Sequence, residues 1–296
     1  MTEGLTVVPA PTSSRGEMWK NLLTLPPPLI MGVVNVTPDS FADGGLFFDH
    51  DAAVRQALDL VAAGADLLDI GGESTRPFSD PTPLEEELRR VLPVIERVRA
   101  QIPVPISIDT YKSRVAQAAL DAGANIINDI SALRFDPDMV HLARKAEVPV
   151  ILMHMQGTPR NMQSHPHYDD LIGELHAFFE ERLKFALAHG LSRELLVLDP
   201  GIGFGKTFQH NMEILNNLDA FLDLGCPLLI GPSRKAFLGY LLGGRPPMER
   251  DLGTLAALAV AVQRGARLVR VHNADYAKQF FTVLNAIGQT KRYSSF

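Results

Sequence analysis

The sequence predicts an α/β protein whose single domain, apart from a short flexible N-terminal tail, is a (β/α)8 barrel of the TIM type. Eight short, almost continuously apolar runs recur along the chain, as parallel strands covered on both faces require. Helical patterns separate these runs, and the turns from helix to strand are short and alike. We expect residues 1–16 to be a mobile tail and residues 17–296 to form the barrel domain.

Each apolar run closes on or near a polar residue. The runs are LIMGVVN ending at Asn35, ADLLDI with Asp69, ISID at Asp109, NIIND with Asn128 and Asp129, VPVILMH at His154, LLVLD at Asp199, LLIGPS at Ser233 and RLVRVH at His272. One such aspartate alone is equally well explained as a helix cap. Polar residues at nearly every strand end predict a polar pocket, because barrel active sites lie at the carboxyl ends of the strands.

Helical apolar spacing appears between the strands, in residues 51–65, 84–100 and 113–124. In three units a helix-ending glycine stands five positions before a polar residue of the next strand: Gly64 and Asp69, Gly123 and Asn128, Gly265 and Arg270. A doubly wound open sheet is the alternative fold, but it more often has a glycine-rich first turn, which MGVVNVTPDS lacks. The closed barrel is therefore favoured.

The composition is that of a globular enzyme. The chain has 296 residues, 46% hydrophobic and 21% charged, with a formal net charge of −6. This negative balance argues against sequence-independent nucleic-acid binding, which depends on basic patches. No apolar run reaches about 18 residues, and the first residues lack the features of a signal peptide. Because Cys226 is the only cysteine, no disulfide framework is predicted, and a reducing, cytoplasmic location is expected.

The stretch LVLDPGIGFGKT, residues 196–207, resembles a nucleotide-binding loop only superficially. A phosphate loop needs a glycine five positions before its Gly-Lys pair, and here that position is Pro200, which lacks the required N–H group. The stretch instead predicts a strand ending in Asp199, followed by a turn whose Phe204 lines a site for a small aromatic ligand. A core phenylalanine in an ordinary loop is the alternative.

Eight sequence blocks together resemble the dihydropteroate synthase family of pterin-binding barrels. They are MGVVNVTPDSFADGG (31–45), DIGGESTRP (69–77), SIDTYK (107–112), INDI (127–130), LMHMQGTP (152–159), LDPGIGFGK (198–206), SRKAFLG (233–239) and RVH (270–272). The resemblance covers residues 30–288 in the family's order. It implies that the chain joins 4-aminobenzoate to (7,8-dihydropterin-6-yl)methyl diphosphate and releases diphosphate, a step of folate biosynthesis.

The resemblance implies that the pterin ring is bound by Asp109, Asn128, Asp199 and Lys235. Two carboxylates and an amide would accept from the ring N–H and amino groups, and the lysine would donate to a ring oxygen or nitrogen. Fixed anions would also favour the positive charge that spreads into the pterin if the methylene–oxygen bond breaks early.

The diphosphate is expected near Arg270, His272 and Asn35. Arg270 and His272 alternate on the last strand and so point to the same side, and the last two strand-end loops of barrels often bind phosphate. Asn35 is expected to ligate Mg²⁺, a cofactor that prefers oxygen donors and would neutralise the leaving group. An ion pair with Asp69 is the structural alternative for Arg270.

The aminobenzoate is expected beside Thr75, Arg76, Pro77, Phe204 and Ser233, with Lys235 close by. Its amine is largely neutral near neutral pH, so no strong general base is required. Positioning and leaving-group stabilisation should carry most of the rate. The catalytic residues would be Lys235, Arg270, Asp109 and Asp199. Segments 37–49 and 71–80 are long for strand-to-helix loops and are predicted to be lids that order over bound diphosphate.

Three positions depart from the family's usual pattern. Phe78 follows STRP where a small residue is common, Pro232 precedes Ser233 in place of a small hydroxyl residue, and Asn273 follows RVH where Asp is common. Phe78 would reshape the mouth of the aminobenzoate site and alter its tolerance for sulfonamide-like analogues. None belongs to the pterin-binding set. The family is commonly dimeric, so a homodimer is expected.

Three rival functions use the same kind of barrel. A metal-dependent hydrolase usually has a His-x-His pair on its first strand, where this chain has Asn35-Val36-Thr37. A methyltransferase barrel that binds methylated folate does not explain the combination of STRP and SRK. A pterin-binding paralogue without catalysis should have lost members of the pterin or diphosphate sets, and all are present.

Overall fold

The computed structural model describes residues 14–37 and 50–288, and it confirms the closed eight-stranded barrel. Each strand pairs in parallel with the next, and the last pairs with the first. The strands are β1 Leu29–Asn35, β2 Leu67–Gly71, β3 Ile106–Asp109, β4 Ile126–Asp129, β5 Val150–Met153, β6 Leu196–Asp199, β7 Leu228–Ile230 and β8 Ala266–Val271. All eight apolar runs of the sequence are strands.

Helices surround the barrel. They are α1 Arg15–Thr24, α2 His50–Ala62, α3 Leu84–Arg99, α4 Ser113–Asp121, α5 Asp138–Ala146, α6 Leu171–Ala188, α7 Phe208–Asn216, α8 Ala236–Leu241, α9 Asp251–Gln263 and α10 Ala274–Gly288. The three helices predicted at 51–65, 84–100 and 113–124 are α2, α3 and α4. Short 3₁₀ segments at Arg193–Leu195, Leu218–Leu224 and Pro247–Glu249 complete the connections.

The barrel interior is apolar at its amino end and is closed there by α1. Inward-facing side chains from β1, β2, β4, β5, β6, β7 and β8 form one buried cluster together with Trp19 of α1. Trp19 is fully buried, and its indole N–H donates to the carbonyl of Glu194 at 3.1 Å. Losing so large a buried side chain typically costs about 3–5 kcal/mol. The amino end of the barrel interior is therefore apolar, and the buried polar side chains of the strands lie toward the opposite end.

The expected tail and the first expected lid lie mainly outside the described residues. Helix α1 begins at Arg15, within the segment expected to be a tail, and residues 1–13 are not described. Of the segment 37–49, only Thr37 is described. Within residues 14–37 and 50–288, none of the helices combines the length and apolar character needed to cross a membrane.

Candidate active site

The register of the strands brings the predicted polar residues to one end of the barrel. Asp109 on β3 lies opposite Asn128 on β4, and Asp199 on β6 lies opposite Met153 on β5. Asp69 on β2 lies one inward-facing position deeper, opposite Ser107. Because side chains alternate along a strand, these groups follow the apolar cluster within the same interior. The register thus places Asp109 and Asn128 side by side, Asp69 one inward-facing position deeper and Asp199 one inward-facing position further along its strand.

Arg270 on β8 is held between two of these carboxylates. Its Nε donates to Oδ2 of Asp69 at 2.6 Å and its Nη2 to Oδ2 of Asp109 at 2.9 Å. Asn128 donates from Nδ2 to the same oxygen of Asp69 at 3.0 Å. The ion pair with Asp69, the structural alternative for Arg270, is therefore present. Asp69 orients both the arginine and the amide, leaving the carbonyl oxygen of Asn128 as an acceptor.

The carboxylates of this cluster have unusual electrostatics because they are buried together. Burial and the neighbouring charge of Asp69 raise the pKa of Asp109 to about 7, although Arg270 opposes the shift. Burial likewise raises the pKa of Asp199, against hydrogen bonding from Gly201 and the charges of nearby cations. The carboxylates raise the pKa of Arg270 despite its burial. Because a single arginine pairs with two buried acids, its charge does not offset both their burial and their mutual repulsion. Asp109 is therefore protonated more readily than an exposed aspartate.

Lys235 lies at the other side of the pocket, directly after β7. Its ammonium donates to the carbonyl of Ile202 and sits 4.2 Å from the ring centroid of Phe204. Burial lowers the pKa of Lys235 to about 7, while Asp199 favours its charged form. The Asp199 carboxylate also accepts from the N–H of Gly201 at 2.8 Å. Lys235, Phe204 and Asp199 are therefore brought together, as the sequence predicted.

His272 and Ser233 form a pair beside Arg270. The Ser233 hydroxyl lies 2.9 Å from Nδ1 of His272 and accepts from the backbone N–H of His272 at 3.2 Å. Burial and the charge of Arg270 lower the pKa of His272 to about 3, so the ring is neutral. The hydroxyl can donate to Nδ1 or accept from it, so this contact suits either neutral tautomer of His272. Ser233 is buried beside His272, and its contact with aminobenzoate stays a prediction.

Asn35 ends β1 next to Gly71 of β2 and is half-buried. Its amide oxygen is a hard donor of the kind that Mg²⁺ prefers. In the part of the chain that the structure describes, no group of three or more His, Cys, Asp or Glu side chains could hold a metal ion. One amide oxygen can serve as a ligand of an ion that substrate phosphates mainly hold, as they often hold Mg²⁺, and the binding of Mg²⁺ at Asn35 stays a prediction.

Three of the residues expected beside the aminobenzoate lie on the loop after β2. Thr75 is half-buried, whereas Arg76 and Pro77 are exposed. The amino end of this loop is fixed by Lys112, which binds Glu73 and Glu87 and donates to the carbonyl of Thr82 at 2.9 Å. This loop is the second predicted lid, and its closure stays a prediction.

The three departures from the family pattern have separate surroundings. Phe78 is 67% exposed with a φ of 66°, and its N–H donates to the carbonyl of Pro159 at 3.0 Å. Asn273 donates to Asp251 at 3.0 Å, outside the barrel interior. Pro232 is buried beside Ser233. Phe78 and Pro232 stand on loops predicted to contact substrate, the latter on the connection from β7 to α8 that also carries Ser233 and Lys235.

Sequence reasoning did not assign a site role to Asp69, Lys206 or His154. Lys206 is buried, and its ammonium contacts Nδ1 of His154 at 2.9 Å and the carbonyl of Phe204 at 3.0 Å. It therefore holds a protein loop together instead of facing a nucleotide phosphate. Asp129 caps a turn and not a helix, because it accepts from the backbone N–H groups of Ser131 and Leu133 while α5 begins only at Asp138. The sequence does mark Asp69 as unusual, because it is a carboxylate inside an otherwise apolar strand.

Comparisons with known proteins agree with this geometry. The family profile described as pterin binding enzyme matches residues 31–272. The dihydropteroate synthase of Synechocystis sp. is 45% identical over 258 residues, which are 87% of this chain and 89% of that protein. The Xanthomonas albilineans dihydropteroate synthase with 4-aminobenzoic acid has a TM-score of 0.84 and 48% identity, covering 88% of this chain and 93% of that chain.

A second structure from Xanthomonas albilineans, in complex with 7,8-dihydropteroate, has a TM-score of 0.81 and 46% identity, covering 88% of this chain and 94% of that chain. These likenesses extend over nearly the whole barrel and include every strand that carries a predicted site residue. The chain belongs to the pterin-binding enzymes and, within them, to the dihydropteroate synthase family.

Proposed function

We propose that this barrel condenses (7,8-dihydropterin-6-yl)methyl diphosphate with 4-aminobenzoate, giving 7,8-dihydropteroate and diphosphate, a transferase step of folate biosynthesis. The observation that carries the proposal is the convergence of Asp109, Asn128 and Asp199 around Arg270 at the carboxyl end of the strands. Relatives of this chain are dihydropteroate synthases, and that of Xanthomonas albilineans has been solved with 7,8-dihydropteroate and, separately, with 4-aminobenzoic acid.

The pterin edge is bound by the acids and the amide inside the barrel. Asn128 offers its carbonyl oxygen because Asp69 holds its Nδ2, and Asp109 and Asp199 offer carboxylate oxygens. Lys235 donates to a ring oxygen or nitrogen. As the methylene–oxygen bond breaks, positive charge develops in the pterin, and fixed carboxylates in a site sheltered from water stabilise it.

The diphosphate is bound beside Arg270 and His272. Nη1 of Arg270, which neither Asp69 nor Asp109 binds, donates to a phosphate oxygen. Neutral His272 donates from Nε2 in the tautomer whose Nδ1 accepts from the Ser233 hydroxyl. Asn35 would help to hold Mg²⁺, which supplies positive charge to the leaving group.

The aminobenzoate occupies the outer part of the pocket, between the Thr75–Arg76–Pro77 loop and the Phe204 ring. Its amine nitrogen forms a bond to the pterin methylene carbon while the carbon–oxygen bond breaks. The electron pair leaves with the diphosphate, and the nitrogen releases its proton to water. Holding both substrates in one pocket makes the reaction effectively unimolecular. This positioning provides most of the rate enhancement.

A coupled assay of diphosphate release with both substrates tests the function directly. Release that requires both substrates, with 7,8-dihydropteroate as product, is the expected result. Pterin binding without turnover would indicate the non-catalytic paralogue, and methyl transfer from a methylated folate would indicate the methyltransferase barrel.

We further propose that the protein is a cytoplasmic homodimer. Four exposed apolar side chains lie on consecutive segments at one side of the barrel: Tyr240 and Leu241 of α8, Met248, and Leu252 of α9. Clustered exposed apolar residues of this kind often mark protein interfaces. The single cysteine, Cys226, is buried and free, which suits a reducing compartment.

A further inference from the structure

The loop between β5 and α6, residues 154–170, is much longer than the usual strand-to-helix connection of about 2–6 residues. We name it the β5–α6 loop. Long ordered loops in compact domains usually have a function of their own. Its contacts with the rest of the pocket indicate what that function is.

The first set of contacts joins the β5–α6 loop to the loop that carries Phe204. Gln163 donates to the carbonyl of Gly203 at 3.0 Å, and Tyr168 donates to the carbonyl of Gly205 at 2.8 Å. The carbonyl between them, that of Phe204, accepts from Lys206 at 3.0 Å. Three consecutive carbonyls around Phe204 are thus each bound by a side chain, two of which come from the β5–α6 loop.

Two glycines on either side of Phe204 allow its loop to lie directly against the backbone of the β5–α6 loop. A Cβ atom at Gly201 would lie 2.0 Å from the carbonyl oxygen of His154, and one at Gly205 would lie 2.9 Å from that of Gln156. Both glycines also have positive φ values, 68° and 63°. The glycine pattern that resembles a nucleotide-binding loop therefore serves backbone packing against the β5–α6 loop.

The second set of contacts joins the β5–α6 loop to the loop that carries Thr75, Arg76 and Pro77. The N–H of Phe78 donates to the carbonyl of Pro159 at 3.0 Å. Between these two connections, Met155 and Met162 are buried in a small cluster against which Phe204 packs. One loop thus touches both walls of the expected aminobenzoate site.

We propose that the β5–α6 loop holds both walls of the aminobenzoate site in place. Gln163 and Tyr168 are then positioning residues for the arylamine substrate. The proposal rests on the proposed function, because that function places the arylamine between Phe204 and Pro77. Fixing the carbonyls on both sides of Phe204 fixes its ring, and the Pro159 contact fixes the opposite wall. Neither Gln163 nor Tyr168 bonds to the strand-end groups assigned to the pterin.

Steady-state kinetics of Gln163→Leu and Tyr168→Phe, with each substrate varied in turn, test this proposal. We expect the KM for 4-aminobenzoate to rise about threefold to tenfold in each variant, the range that the loss of one hydrogen bond produces. The KM for the pterin diphosphate should stay within about twofold, because its binding groups are untouched. Gln279→Leu and Tyr276→Phe, on α10, are matched controls that should leave both KM values unchanged.

A purely structural role would give a different pattern from a positioning role. Lower melting temperatures with both KM values unchanged, or equal rises in both, would overturn the proposal. Tyr168→Phe removes one oxygen only, so it decides the question if Gln163→Leu does not fold. A wild-type protein that releases no diphosphate would instead overturn the proposed function.

Discussion

Arg270 and Asp69 reach one another across β1, the strand that lies between theirs, and form an ion pair with Nε 2.6 Å from Oδ2. Asp69 is fully buried, and Arg270 is mostly so. The guanidinium cannot rotate freely, because a second donor binds Asp109. The group assigned to the diphosphate is therefore fixed before substrate arrives, which reduces the cost of ordering it during catalysis.

Asp69→Asn should destabilise the fold and weaken the diphosphate site together. Breaking a buried pair leaves a charge with less compensation, so we expect the free energy of unfolding to fall by about 3 kcal/mol. Chemical denaturation measures this quantity. Asp219→Asn, which breaks the exposed pair with Arg264, is the control and should cost less than about 1 kcal/mol. Equal losses in both variants would contradict the importance of the buried pair.

Asp199→Asn and Lys235→Met should each lower kcat/KM for the pterin diphosphate by at least about tenfold. Each removes a charge-assisted contact with the ring, which is typically worth about 1.5–3 kcal/mol. Steady-state kinetics provide the measurement, and Lys145→Met on the exposed face of α5 is the control. Wild-type kinetics in both site variants would refute the assignment of this pocket to the pterin.

The pH dependence of kcat/KM should be bell-shaped around neutrality. Asp109, with a pKa of about 7, loses its acceptor charge as the pH falls. Lys235, with a pKa also of about 7, loses its donor charge as the pH rises. Because kcat/KM reports the groups of the free enzyme, Asp109→Asn should remove the acid limb. His272→Gln should leave the profile's shape unchanged, since the pKa of His272 is about 3.

Asn35→Ala should weaken the binding of diphosphate only when Mg²⁺ is present. Loss of an oxygen ligand, with the phosphate contacts of Arg270 and His272 retained, should reduce the affinity at least about tenfold. Titration calorimetry with inorganic diphosphate, with and without Mg²⁺, measures the effect. Equal weakening in both conditions would show that Asn35 contacts the phosphate without a metal.

Leu252→Glu should convert the protein from dimer to monomer. The side chain is 77% exposed on α9, and a charge there would be buried without a partner in an apolar interface. Sedimentation of the wild type and the variant at micromolar concentration provides the test. Ile287→Glu, which is 63% exposed on α10, is the control and should remain dimeric. A monomeric wild type would rule out the proposed interface.

The barrel could be predicted from the sequence because its strands carry a strong local signal. Each is almost continuously apolar and ends in a polar residue, so both the fold and the level of the pocket follow from short-range patterns. The places of Asp109, Asn128 and Asp199 depend only on which strand carries them. Their convergence could therefore be inferred without coordinates.

Contacts between distant loops could not be predicted in the same way. The hydrogen bonds of Gln163 and Tyr168 join positions far apart in sequence, and no local pattern specifies their partners. Lys206 illustrates the difficulty, because its sequence context resembles a phosphate loop while its ammonium is buried against His154. Ser233 contacts His272, a pairing that no local pattern specifies, while its expected contact with the arylamine stays a prediction.

Helix α1 and the residues that follow it contact the last strand and the last helix of the barrel. Arg267 of β8 donates to the carbonyl of Leu23 at 2.6 Å, and Asn285 of α10 donates to that of Pro27 at 2.8 Å. Until β8 leaves the ribosome, β1 and β7 each keep an unpaired edge, which is a hazard for aggregation. Barrel closure is therefore a late event of synthesis, and the final strand protects both edges at once.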